Sequence, residues 1–159
     1  MDFKGSGFSL QLPDGTVDAS SYAFAFPHSE GQYTPTLTVK CEICHADTDL
    51  GSIVDEHERA LLETVPDGEA LSRSRHRTVG REYIVSVVGW GPQSMQMRQK
   101  FVYLLIEEAV TRLYTMIYTN TSEGFAVFEP TIDAIIRSFQ ASNEQLISAN
   151  VARPTPFVK

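Results

Sequence analysis

The sequence predicts an α+β fold, an antiparallel sheet of about seven strands with two amphipathic helices packed on it as a sandwich. Three observations carry that expectation. Between Arg81 and Asn120, three segments rich in β-branched and aromatic residues are separated by Gly91-Pro92-Gln93 and by Glu107-Glu108, the pattern of an antiparallel meander. On either side of it, Leu50, Ile53, Val54, Leu61, Leu62 and Val65, and again Phe125, Phe128, Ile132, Ile135, Ile136 and Phe139, recur at helical spacing. Within the meander, the run 101–106, Phe-Val-Tyr-Leu-Leu-Ile, is apolar on both faces. A strand of that kind needs cover on both sides.

In chain order, Gly7 to Pro13 alternates Phe8, Leu10 and Leu12 and is stopped by Pro13-Asp14-Gly15, a first strand. Ser20 to Phe26 is a second, with Tyr22, Phe24 and Phe26 on one face and Ser21, Ala23 and Ala25 on the other. After a polar loop, a third strand from Thr36 to Ile43 turns Leu37, Val39, Cys41 and Ile43 inward and Thr36, Thr38, Lys40 and Glu42 outward. Asp49 is placed to cap a helix that Pro66-Asp67-Gly68 ends, with His57 on or beside its apolar stripe. A weakly patterned strand, about Glu69 to Thr78, leads through Val79-Gly80 into the meander. In the middle meander strand, about Ser94 to Ile106, Met95, Met97, Gln99 and Phe101 face one way and Gln96, Arg98 and Lys100 the other. The second helix contains Pro130, so it either kinks there or restarts with Pro130 in its first turn. Residues 1–140 read as one domain and 141–159 as a polar, proline-containing tail.

Two such helices can cover one face of the sheet or part of each. If both share one face, the other keeps an apolar surface including Met95, Met97 and Phe101, the kind of patch that marks a binding site or subunit interface. Otherwise Met95 and Met97 lie under a helix as core residues.

Charge and motifs narrow the function. A chain of 159 residues with net charge −7 and no basic stripe is a poor partner for nucleic acid. The local run Arg73, Arg75, His76, Arg77 and Arg81 reads as a solvated strand face and turn. No window approaches about 18 consecutive apolar residues, and the first residues lack the apolar core of a signal peptide. A cytoplasmic protein with reduced thiols, without membrane insertion, is expected. Cys41-Glu-Ile-Cys44-His45 spells the CxxCH haem-attachment motif. A continuing strand would turn the two thiols to opposite faces, unsuited to two thioethers on one haem, and the helix starts too late for a redox pair at its first turn. For zinc, His45 is the only further nearby ligand, so Cys41 reads as a small buried hydrophobe. There is no GxSxG elbow, HExxH or glycine-rich phosphate loop, and His28, His45, His57 and His76 share no ligand spacing. A protein without catalysis, metal or cofactor is expected.

Leu12-Pro13-Asp14, Asp18, Pro27, Gly80, Trp90 and above all Met97-Arg98-Gln99-Lys100-Phe101, followed by Glu129-Pro130 and Ser138-Phe139, form an ordered pattern over nearly the whole chain. In that pattern the sequence resembles the DcrB-like family with its Mog1/PsbP-like fold, and most closely the effector-associated chaperones of bacterial type VI secretion. The resemblance implies a homodimeric cytoplasmic chaperone that shields the N-terminal transmembrane helices of PAAR-containing effectors. It also implies a client groove lined by Ser21, Ala23, Thr36, Thr38 and Lys40, with His57, Val65, Met97 and Gln99 completing it. The family often has glutamine where this chain has His57 and aliphatics where it has Ser21 and Ala23, which implies a different client or a less greasy groove. The other reading is a regulatory protein of the Mog1 kind that binds a folded partner.

Overall fold

The computed structural model describes residues 2–5, 8–11, 21–27 and 33–141. The chain divides into two units, residues 1–18 with 138–159 and residues 19–137. In the first, β1 (Asp2–Gly5) and β2 (Phe8–Gln11) pair antiparallel as a two-stranded hairpin. In the second, β3 (Ser21–Ala25), β4 (Thr36–Cys44), β5 (Glu69–Thr78), β6 (Arg81–Trp90), β7 (Met97–Ile106) and β8 (Thr111–Thr121) form one antiparallel sheet in the order β3-β4-β8-β7-β6-β5. The expected sheet of about seven strands is therefore six strands. The segment expected as its first strand pairs with Asp2–Gly5, a four-residue strand too short to show an alternation of its own.

Helix α1 (Leu50–Thr64) begins where the sequence placed its cap. Asp49 takes an extended conformation and its carboxylate accepts hydrogen bonds from the Gly51 and Ser52 amides at 3.3 and 3.1 Å. Leu50 and Val54 are buried against Ile84, Tyr103, Leu105 and Leu113, with Ile53, Cys44 and Phe101 packed around them. Polar ties reinforce this docking: Glu58 accepts from the Ser86 hydroxyl at 2.9 Å, and Asp55 pairs with Arg73. Arg75 and Arg77 converge on the buried Glu82 carboxylate. The arginines expected to be merely solvated thus brace the strand edge and helix they flank.

Helix α2 (Ser122–Arg137) runs unbroken through Pro130, which is exposed, so water can serve the carbonyl that the missing N–H leaves without its helical partner. It packs on the opposite face. Phe125 and Ile132 are buried there, and Phe125 meets Tyr118 at 5.3 Å between ring centroids. Lys100, 8% exposed, extends beneath the helix and donates to Glu129 at 2.7 Å and Asp133 at 2.9 Å.

The doubly apolar run is accordingly covered from both sides within one chain. Tyr103 and Leu105 lie on the front face with α1, and Val102 and Ile106 are buried on the back face with α2. Four local expectations differ. The middle strand begins at Met97 and not near Ser94, leaving Met95 exposed outside it, whereas Met97 is buried. Ile43, read as inward, is exposed near the end of β4. Residues 107–110 form a loop longer than a glutamate-pair turn, and α2 stops at Arg137, before Phe139. Among the described residues no helix is long and apolar enough to cross a membrane.

Candidate functional site

Register assigns each sequence-selected residue a place on the sheet. Directly opposed residues share a face, with Cβ atoms about 5 Å apart. Three rows cross the front face. The first is Ser21, Lys40, Thr115, Tyr103, Ile84 and Arg75; the second is Ala23, Thr38, Ile117, Phe101, Ser86 and Arg73. The third is Ala25, Thr36, Thr119, Gln99, Val88 and Ala70. Helix α1 docks over the β6 and β7 end of these rows, because Ile84 and Val88 are its fully buried apolar positions. At the other end the rows carry Thr36, Thr38, Ile117 and Thr119, all half-buried, and then the exposed Lys40, Ser21 and Ala23.

Seven of the nine selected residues therefore gather on or beside one open half-face: Ser21, Ala23, Thr36, Thr38, Lys40 and Gln99 on the sheet, and His57 on the helix. The exposed His57 ring lies against Tyr103, centroids 5.7 Å apart, and Tyr103 stacks on Phe101 at 5.9 Å. His57 thus stands at the border between the covered and open halves. Gln99 donates from Nε2 to Thr119 Oγ1 at 2.8 Å, which fixes its amide against the floor. Val65 closes α1 in an extended conformation, its amide donating to Leu61 at 3.1 Å, so it marks the end of the helix. Met97 shares the front face with Gln99 but is buried at the start of β7, facing Trp90 and Thr121 in register. Placement on the face was right; an open position was not.

Sequence reasoning missed Thr115, Ile117 and Thr119, the floor of the half-face. Their alternation is visible in the sequence, but that β8 lies between β4 and β7 is a matter of strand order, which periodicity does not encode. Thr115 has one notable property: its Oγ1 is fully buried and has no hydrogen-bond partner among the described residues. Cys41 and Cys44 form no disulfide and are half-buried, and β4 continues through both, so the two do point to opposite faces. Burial, assisted by the Glu42 charge, pushes the Cys44 thiol above its ordinary range.

No protein-family model and no curated protein matches the chain. Solved structures do. The crystal structure of PA94 from Pseudomonas aeruginosa, a protein of unknown function, aligns over 89% of this chain and 96% of its own, with 15% identity and a TM-score of 0.64. LpqN, involved in cell envelope biogenesis of Mycobacterium tuberculosis, aligns over 76% of this chain and 82% of its own, with 9% identity and a TM-score of 0.51. The solution structure of the cyanobacterial PsbP of Synechocystis sp. PCC 6803 aligns over 84% and 99%, with 11% identity and a TM-score of 0.45. At these identities what the chain shares with PA94 and LpqN is the fold.

Proposed function

We propose that this chain is a non-catalytic chaperone of the DcrB-like kind that cradles an apolar helix of a client in the open half of its front face. The client class is the transmembrane region of a type VI secretion effector, as the sequence resemblance implies. The observation that carries this reading is the assembly of six groove residues from three strands onto one half-face, with α1 and His57 as its wall. An apolar segment laid there would meet Ile117, Phe101 and Ala23 for packing and a lane of hydroxyls and one amide for its polar atoms. In a dry groove those polar contacts face no competition from water.

Gln99→Ala tests it. Co-expressed with the N-terminal fragment of a candidate effector, the variant is expected to capture it about tenfold less well, the effect of losing one hydrogen bond from a dry site. Its melting temperature should stay within a few degrees of the parent, since Gln99 is only half-buried. Met97→Lys should behave differently, reducing capture and stability together, because it buries a charge in the free chain. Capture unaffected by Gln99→Ala would remove the groove.

The homodimer implied by the resemblance needs apolar surface elsewhere, because the doubly apolar run is already covered. Tyr22 and Phe24, 60% and 51% exposed on the back face of β3, are the surface we assign to it. Light scattering at micromolar concentration should give a dimer for the parent chain. The double variant Tyr22→Ser with Phe24→Ser should give a monomer. A monomeric parent across that range rules the dimer out.

A further inference from the structure

The open half-face stops at β3. That strand is the first of the sheet, and among the described residues no strand pairs its outer side. All five of its residues are exposed and none is charged. One hydrogen bond fixes which backbone groups look outward. The Phe26 amide donates to the Pro35 carbonyl at 2.9 Å, continuing the register in which Ala25 faces Thr36. Antiparallel pairing alternates, so Tyr22 and Phe24 direct their N–H and C=O groups at β4. Ser21, Ala23 and Ala25 direct theirs away from it, to the open rim. A row of unpaired donors and acceptors of this kind is a template for another strand.

We propose that a second copy of this chain supplies that strand, the two β3 strands pairing antiparallel about Ala23 across a two-fold axis. The inference rests on the dimer reading above and gives it a geometry. An axis at Ala23 pairs all five residues and satisfies every outward group: Ala23 faces Ala23, and Ser21 faces Ala25. Between them Tyr22 meets the partner's Phe24 on the back face, at the closer kind of pair, so the two exposed rings cover each other. By symmetry a copy brings an aromatic to each ring, which an arbitrary strand does not. Directly opposed residues share a face, so Ala23 of both chains lies on the front. The two open half-faces then become one trough across the axis, with α1 of each chain as a bank. A single chain has one bank and an open side; the pair has both.

Ala23→Pro tests the pairing, because it removes an amide that points to the rim and none that β4 receives. Light scattering of the full chain at micromolar concentration should give half the parent's mass for this variant, with a cooperative melt retained. Ala23→Cys tests it with a smaller change: the two Cα atoms would stand about 5.5 Å apart, within disulfide reach. Under mild oxidation Ala23→Cys should run as a covalent dimer on a denaturing, non-reducing gel. The parent, with Cys41 and Cys44 alone, should run as a monomer there. A dimeric parent whose Ala23→Cys variant does not cross-link, or whose Ala23→Pro variant stays dimeric, overturns the strand pairing and leaves dimer and groove standing. A monomeric parent overturns pairing and dimer together, while the groove is decided separately by capture with Gln99→Ala.

Discussion

Tyr103→Ala is expected to destabilise the chain by about 3–5 kcal/mol, the cost of deleting a large buried aromatic. For a chain of this size that corresponds to a fall of about 6–20 °C in melting temperature. The size of the effect follows from position. Tyr103 is 1% exposed in the centre of β7, contacts the cluster of Leu50, Val54, Ile84, Leu105 and Leu113, and stacks on Phe101. Its ring is also the surface on which His57 rests, so its loss removes part of the seat of α1. Burial first, and then the Glu58 charge, push the Tyr103 hydroxyl far above its ordinary range, so the phenol stays neutral at any working pH. Tyr103→Phe should therefore keep most of the stability. Thermal melting of the two variants separates ring from hydroxyl, and a drop of less than about 1 kcal/mol for the alanine variant would mean that the ring does not anchor the helix.

Lys100→Met should cost about 1–3 kcal/mol, less than a fully buried pair because Glu129 and Asp133 are partly exposed. It leaves two carboxylates one helical turn apart over buried Phe125 and Tyr118 with no cation between them. The pH dependence has a definite sign. Burial pulls the Lys100 pKa down, but its hydrogen bonds to Glu129 and Asp133 more than offset this and hold it above 10.5. A raised pKa contributes stability that is complete below the unfolded value and lost as pH rises through the folded one. The parent should weaken above about pH 10.5, and the methionine variant should show a shallower alkaline slope. Part of the slope will remain, because burial also raises Tyr103, Tyr114 and Tyr118. Equal slopes in chemical denaturation at pH 9–12 would mean that Lys100 is not held by the two carboxylates.

Local signals were read well from the residues alone. The Asp49 cap, the stop after Val65 and the strand Glu69–Thr78 each depend on neighbours a few residues away, and each was found in place. Alternation also assigned Gln99, Lys40 and Thr38 to the correct faces. What it lacked was order and depth. Whether α1 and α2 share a face depends on which strands separate them, and the insertion of β8 between β4 and β7 is a long-range event. For the same reason Met97 was placed on the right face at the wrong depth: its burial depends on the strand ends and loop closing around it. The hydroxyl floor came together only once strands distant in sequence were laid side by side.

The arginines of β5 have a further consequence, for the fate of the protein at high concentration. That strand is the last of the sheet, ten residues long, with every side chain exposed, and such a rim invites a second strand to add on and start a fibril. An identical β5 arriving antiparallel about Arg75 would set Arg73 against Arg77 and Arg75 against itself, guanidinium facing guanidinium. The carboxylates that partner these arginines, Asp49, Asp55, Glu82 and Glu107, lie outside β5, so at the Arg73 to Arg77 stretch an incoming β5 presents like charge. The irregularity between Ala70 and Ser72 also spoils the flat edge at its other end. Like charge set against like charge is expected to oppose the growth of sheet upon sheet at this boundary.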